Sequence, residues 1–357
     1  MINRPDRGLD LPIVHGSYAR GPIRGGERQM LLLVEEIAKH NIPQVIVCRK
    51  GNGVHEYASS IPNVRIAHAR HHLLDGFRPI PARLYHAHEA RAAYWAAIST
   101  LLTRTPYLIT KRTPNPLSEN RMTHRVYRRA SALVGISDAV CDVIRAAGGH
   151  DPSLIYSAHR NMTADPEQVR RIRQEIGADP VIGQVGALVD SHKGQSHTIA
   201  ALSQIQSQFP GAKLVLLGSG VDQEKLRKQA EPVGGVIFAG HRQNIADWIA
   251  ACDLLLHPAY EEGLGSTLLD AMHLEVPIVA SRVDGIPEIA IDGTSALLIE
   301  PGDTAGLADA ALRVLNDDAL RAHIVAGGRE VAARLGPKAM GQSYLDLYES
   351  ILGGTQP

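Results

Sequence analysis

The chain has 357 residues, 44% of them apolar, and its 37 Lys and Arg side chains balance 37 Asp and Glu. That length predicts two domains rather than one core, and the apolar content excludes a natively unfolded chain. The zero net charge argues against a protein that coats nucleic acid, and no nucleic-acid partner is expected.

Short β-branched runs alternate with longer helical patterns along the whole sequence, which predicts an α/β fold of parallel strands joined by crossover helices. In the first half, strands are expected at residues 11–15, 43–48, 63–67, 83–86, 107–110 and 132–136. A helix is expected over 27–40, where Met30, Leu33, Val34 and Ile37 share one face. Residues 157–180 are polar, carry Asp165-Pro166 and an Arg-rich helical pattern, and read as a connection, with the boundary near residue 160. The pattern then restarts, with strands at 181–185, 213–217, 236–239, 254–257 and 277–280 and helices near 194–208, 222–230 and 266–273. Two Rossmann-like doubly wound sheets in tandem follow from this order. Helices near 304–316, 318–326 and 337–352 have no strand after them, so the last is expected to pack elsewhere.

The segment MINRPDRGLDLPIVHG holds no apolar core long enough for a signal peptide, and no later segment approaches the roughly 20 apolar residues of a membrane span. Cys48, Cys141 and Cys252 lie far apart in apolar runs and suit buried free thiols in a reducing compartment. A cytoplasmic protein is expected, or one peripheral on the inner face of the cell membrane. Residues 1–157 hold 21 Lys/Arg against 12 Asp/Glu, a balance of +9, and residues 158–357 hold 16 against 25, a balance of −9. Either the halves complement each other, or the basic half meets an anionic membrane surface or a phosphorylated acceptor. The stretch from residue 68 to 81, HARHHLLDGFRPIP, reads first as a mobile loop and second as a membrane contact.

Ligands of open α/β sheets bind beyond the carboxyl ends of the strands. The first such turn ends in Gly25-Gly26 before a helix, which suits an anion. It makes no G-x-G-x-x-G, the second strand ends in Cys48-Arg49-Lys50 rather than an acid, and no G-x-x-x-x-G-K-[ST] occurs, so dehydrogenase and P-loop chemistry are excluded. His86 and His88 share a strand face but have no evident third ligand, and are expected to pack or to bind an acceptor. The most informative stretch is residues 257–303. There a strand ends at His257, Glu262 follows, Gly263-Leu264-Gly265 turns, and a helix starts near Ser266. Free N–H groups and the helix dipole would aim at an anion, with Glu262 and Asp270 placed to accept hydrogen bonds from hydroxyls.

These motifs resemble glycosyltransferase family 4. Its E-G-[FL]-G-x-x-x-x-E pattern is matched by Glu262-Gly263-Leu264-Gly265 and Asp270. The later motifs are matched by Pro277-Ile278-Val279-Ala280, Gly285-Ile286-Pro287-Glu288 and Pro301-Gly302-Asp303. Val185-Gly186-Ala187 with Lys193-Gly194 and Ala239-Gly240-His241-Arg242 extend the resemblance. Gly25-Gly26-Glu27, His86-Ala87-His88-Glu89 and Thr110-Lys111-Arg112 carry it loosely into the amino half. It implies a GT-B fold, two Rossmann-like domains facing across a cleft: an acceptor domain over 1–160, a nucleotide-sugar donor domain over 161–335, and a helix over 336–357 crossing back.

By that resemblance the enzyme would be retaining, would use a UDP-, GDP- or ADP-sugar without a metal or other cofactor, and would transfer to a glycan or glycolipid acceptor in lipopolysaccharide or surface polysaccharide synthesis. Glu262 would contact the donor sugar, Lys193 the diphosphate, Asp270 the ribose, and Gly263, Leu264, Gly265 and Ser266 sugar and phosphate through their N–H groups. Gly240 and His241 would lie near the base, and Gly25 and Gly26 would close on the phosphate. Ala187 stands where many members carry an arginine, which shifts leaving-group charge to Lys193 and to Arg112 or Arg24. A sugar-nucleotide epimerase of the same fold and a non-catalytic sugar-nucleotide binder are the alternatives.

Overall fold

A computed structural model describes residues 11–148 and 150–353, so most of the amino-terminal segment in which no leader was read lies outside the described residues. The chain divides into two compact units, one running through Ala158 and resuming at Pro337, the other spanning His159–Gly336.

The first unit alternates strands β1 (Ile13–Gly16), β2 (Gln44–Cys48), β3 (Val64–His68), β4 (Leu84–Ala87), β5 (Tyr107–Lys111), β6 (Ala132–Gly135) and β7 (Ser153–Leu154) with helices α1 (Gly25–Ala38), α2 (Gly53–Ala58), α3 (His72–Gly76), α4 (Ala90–Thr103), α5 (Arg121–Arg128) and α6 (Asp138–Ala146). Its sheet is parallel, in the order β3-β2-β1-β4-β5-β6-β7. β1, β2, β4 and β5 are buried at every residue, as expected of parallel strands covered on both faces.

The second unit contains α7 (Pro166–Ile176), β8 (Val181–Val185), α8 (Asp190–Lys193), α9 (Gln195–Gln208), β9 (Lys213–Leu217), α10 (Gln223–Ala230), β10 (Val236–Gly240), α11 (Ile245–Ala250), β11 (Leu254–His257), α12 (Ser266–His273), β12 (Ile278–Ser281), α13 (Ile286–Ile289), β13 (Leu297–Ile299), α14 (Thr304–Asn316) and α15 (Asp318–Arg334). Its parallel sheet has the order β10-β9-β8-β11-β12-β13. Ile182, Leu214, Leu216, Leu254 and Leu256 from the strands pack with Leu202 and Ile205 of α9 and Leu307 of α14 in one core.

The last helix, α16 (Pro337–Gly353), belongs to the first unit. Tyr344 and Tyr348 on its buried face join Ile13, Leu33, Leu84 and Leu108 in that unit's core. Their hydroxyls bond Thr110 Oγ1 at 2.9 Å and His86 Nδ1 at 2.7 Å, which satisfies buried polar atoms that would otherwise cost stability.

Two expectations are corrected. Residues 72–76 form α3 rather than a loop. The helix expected over 318–326 runs on to Arg334, because Gly327 and Gly328 are packing glycines, not a stop. A Cβ on Gly327 would lie 2.2 Å from Thr294 O, and one on Gly328 3.1 Å from Met272 Cγ of α12. All three cysteines are buried. Among the described residues no helix is long and apolar enough to cross a membrane.

Candidate functional site

In an open parallel sheet the crevice lies where the strand order reverses, because the two neighbouring crossovers depart to opposite faces there. In the second unit that point is the β8/β11 pair. The turns after both strands converge on Lys193 and Glu262. Lys193 ends α8, and its amine reaches Glu262 Oε2 at 2.5 Å. His257, the last residue of β11, meets the same oxygen through Nε2 at 3.0 Å, and its buried Nδ1 has no hydrogen-bond partner among the described residues. Burial alone would raise the Glu262 carboxyl, but Lys193 and His257 outweigh it and hold it down at about 2. The carboxylate is therefore charged throughout the neutral range.

Backbone geometry sets this pair. Gly194 adopts φ +62° directly after Lys193, and a Cβ there would lie 2.1 Å from Pro258 O in the other turn. Only glycine lets the two turns approach so closely. Gly265 at φ +96° caps α12, so the helix starts abruptly behind Glu262, Gly263 and Leu264. Ser266 opens α12, whose first-turn amides and dipole offer an anion-binding end beside Lys193 and Glu262. Gly240 ends β10 at φ +72°, where a Cβ would meet nothing within 4 Å, and His241 after it is exposed.

Asp270 points elsewhere. Expected at ribose hydroxyls, it is buried on α12 and spends both oxygens on Arg160: Oδ1 takes the backbone N–H at 2.7 Å, and Oδ2 takes Nε at 2.9 Å and Nη2 at 2.7 Å. Burial raises this carboxyl against the pull of Arg160. Here Asp270 clasps the connecting segment to α12. Asp270→Asn is expected to destabilise the second unit by about 1–3 kcal/mol through weakened charge-assisted bonds. Thermal unfolding and nucleotide titration check this: weakened nucleotide binding at unchanged stability would restore the ribose role.

In the first unit the order reverses between β1 and β4, and a chain of polar groups sits there. Arg112 can only donate, so His88 Nδ1, 3.1 Å from its Nη2, accepts. His88 Nε2–H then donates to His15 Nδ1 at 3.0 Å, and His15 Nε2–H to Gln44 Oε1 at 3.1 Å. Gln44 Nε2 ends the chain on Val34 O at 3.0 Å. This fixes both tautomers and steers Arg112 into a cavity of about 570 Å³ that also holds Gly26, Glu89 and Lys111. A Cβ on Gly26 would sit 3.5 Å from Arg112 Cδ, and one on Gly25 would meet nothing within 4 Å. Arg24 borders the same cavity, its N–H donating to Glu27 Oε2 at 2.9 Å.

The expectation that His86 and His88 lack a third histidine is corrected. His15 brings one ligand atom of each of the three within 4.8 Å. Both ring nitrogens of each already have hydrogen-bond partners, and the Arg112 guanidinium adjoins His88, so the cluster acts as a hydrogen-bonded core. Desolvation drives His15 down to about 3 and lowers His86 and His88 well below the usual imidazole value. Sequence reasoning quoted Glu89 and Lys111 in its looser motif matches but gave them no role. Burial raises the Glu89 carboxyl, which accepts Tyr18 N–H at 2.8 Å, and lowers the Lys111 amine. Their signal was position alone, each lying at or just beyond the end of a strand.

Two parallel Rossmann-like sheets, each with charged side chains at its switch point, place the protein in the GT-B class. Residues 179–317, which include Lys193 and Glu262, match the family described as "Glycosyl transferases group 1". The chain is 25% identical over 342 residues to a lipopolysaccharide core biosynthesis glycosyltransferase, LpsE, of Rhizobium meliloti, covering 91% of this chain and 96% of that protein. It is 32% identical over 245 residues to a GDP-mannose-dependent mannosyltransferase of Corynebacterium glutamicum acting on a monoacylated phosphatidylinositol monomannoside, spanning 63% of this chain and 64% of that one. The crystal structure of Anabaena Alr3699/HepE with UDP and glucose superposes with a TM-score of 0.85 at 20% identity, over 95% of this chain and 100% of that one. The protein is an enzyme, a glycosyltransferase of the hexosyltransferase type.

Proposed function

We propose that the protein is a retaining family 4 glycosyltransferase that binds a nucleoside-diphosphate sugar on its second unit and passes the sugar to a glycan or glycolipid acceptor taken by its first. The observation that carries this reading is the Lys193–Glu262 pair at the β8/β11 switch point, backed by the start of α12. Lys193 and the amides of Gly263, Leu264, Gly265 and Ser266 would neutralise the departing diphosphate, and Glu262 would orient the sugar hydroxyls. Gly240 and His241 would border the base, and Gly25, Gly26 and Arg112 would serve phosphate or acceptor from the first unit. No metal or other cofactor enters this scheme.

The sugar C1–O bond to phosphate breaks, a bond from C1 to the acceptor oxygen forms on the same face, and the acceptor hydroxyl proton passes to the leaving phosphate. The relationship to LpsE supports lipopolysaccharide core synthesis as the setting. The excess of basic residues before residue 158 supports work at an anionic membrane surface from the cytoplasmic side.

The test incubates the protein with UDP-, GDP- and ADP-sugars and bacterial core-oligosaccharide acceptors, following nucleoside diphosphate release and the anomeric proton of the product. An α-linked product from an α-linked donor supports the proposal. Inversion, an isomerised sugar nucleotide without transfer, or binding without turnover would each overturn it.

A further inference from the structure

Of the ten large apolar side chains exposed among the described residues, six (Leu73, Leu74, Phe77, Leu101, Leu102 and Met122) fall on or just after α3, at the end of α4, or on α5. Scattered exposed apolar residues need no explanation, but a concentration on one face of one unit does. Leu73, Ala97, Ile98, Leu101 and Met122 line a cavity of about 700 Å³. Leu101 is 68% exposed and Met122 55%, so apolar side chains take part in the cavity's opening to solvent. That volume lies in the range of small-molecule sites.

The charge around it is one-sided. Segments 70–78, 101–104 and 120–129 carry seven arginines and one carboxylate, Asp75. Asp75 is already engaged by the backbone N–H groups of Arg70 and His71, at 2.8 and 3.1 Å. Arg125 and Arg129 line the cavity themselves, are exposed, and have no acidic partner within salt-bridge distance among the described residues. The cavity also shares Tyr94 and Val126 as a wall with the polar cavity holding Arg112 and Glu89. Tyr94 and Thr123, whose hydroxyls are 2.6 Å apart, stand at that wall. An apolar chamber, a cationic rim and a neighbouring polar chamber match one kind of molecule, an amphiphile with a phosphate between its chain and its sugar.

We infer that the α3–α4–α5 cavity seats the hydrocarbon chain of a phosphate-bearing lipid acceptor, with Arg125 and Arg129 on the phosphate and the glycan end directed toward Arg112 and Glu89. This rests on the reading that the first unit takes the acceptor. It assigns the acceptor to the lipid class and gives it a site.

Dodecyl phosphate, held below its micelle concentration, is titrated into the full chain, with inorganic phosphate supplying the head alone and dodecyl maltoside the chain alone. Dodecyl phosphate should bind at least about tenfold more tightly than either. Ala97→Trp, which fills the cavity, and Leu101→Glu, which puts a negative charge at its exposed mouth without touching the core, should each weaken it by about tenfold. Thermal shifts with nucleotide sugars, read in the same samples, should stay unchanged in both variants. Equal binding by the wild type and both variants would overturn the inference. So would attachment to phosphatidylglycerol vesicles that persists in Ala97→Trp without dodecyl phosphate binding, or a concentration-dependent dimer that covers the face. Chain binding that survives while no nucleotide shifts the protein would leave the lipid site standing and remove the transferase reading instead.

Discussion

Replacing Lys193 with Met is expected to slow sugar transfer by about 10²- to 10³-fold, the size of effect seen when one donor to a developing oxyanion is removed. The methionine keeps the length and apolar body of the side chain, which lies beside Gly186, so the fold should persist. What is lost is the positive charge 2.5 Å from Glu262 Oε2. Two consequences follow. A diphosphate bound as proposed loses the Lys193 cation, and Glu262 keeps only His257 against burial, so its carboxyl rises from about 2. Activity in the variant should gain a pH dependence that the wild type lacks. Glu262→Gln should lower transfer too, and the double variant should be less impaired than the product of the two, because the residues act as a pair. Initial rates across pH with the donor found by screening check this. Activity in Lys193→Met within threefold of wild type, about 0.6 kcal/mol, would remove Lys193 from the chemistry.

The first unit should be acid-labile well before its carboxylates protonate. His15, His86 and His88 are buried and neutral in the fold, with imidazole values depressed from 6.5, to about 3 for His15. Because the folded values are depressed, the full stability is present above pH 6.5 and is lost as pH falls, since the unfolded chain binds protons that the folded chain refuses. His15, at about 3 in the fold, costs about 1.4 kcal/mol per pH unit below 6.5, or about 2 kcal/mol between pH 7.5 and pH 5, and His86 and His88 act in the same direction. Against a typical domain stability of about 5–15 kcal/mol, that loss is large enough to measure. Urea unfolding at pH 7.5, 6 and 5 measures the loss. His15→Asn, which removes one titrating group, should reduce the slope. A midpoint unchanged from pH 7.5 to pH 5 would show that the cluster is already charged or open to water.

Much of the fold was legible because buried parallel strands announce themselves as short apolar runs between glycine and proline. Val181–Val185, Lys213–Leu217 and Leu254–His257 were readable to the residue for that reason. Ser153–Leu154 and Leu297–Ile299 were not, since two or three residues are too few for a pattern. Glycine misled at Gly327-Gly328, where close packing of α15 and a helix stop leave the same mark in sequence. Candidate site residues clustered after strands could be found because the crevice of a wound sheet lies there.

What the sequence hid was every contact made across long separations. Nothing near Asp270 points to Arg160, which is 110 residues away yet spends its backbone and side chain on that carboxylate. His15 lies 73 residues from His88, and only the β1–β4 pairing joins them.

The most direct test of the central claim, that the β8/β11 turns of the second unit hold a nucleoside-diphosphate sugar, is a thermal-shift titration with UDP, GDP, ADP and their sugar forms. It is run on the wild type, Lys193→Met and Glu262→Gln. One nucleotide family should stabilise the wild type by about 2.7 kcal/mol at a hundred times its dissociation constant, and the shift should shrink in both variants. Well-folded protein that responds to none of the nucleotides, or that responds equally with Lys193 and Glu262 replaced, would contradict the account.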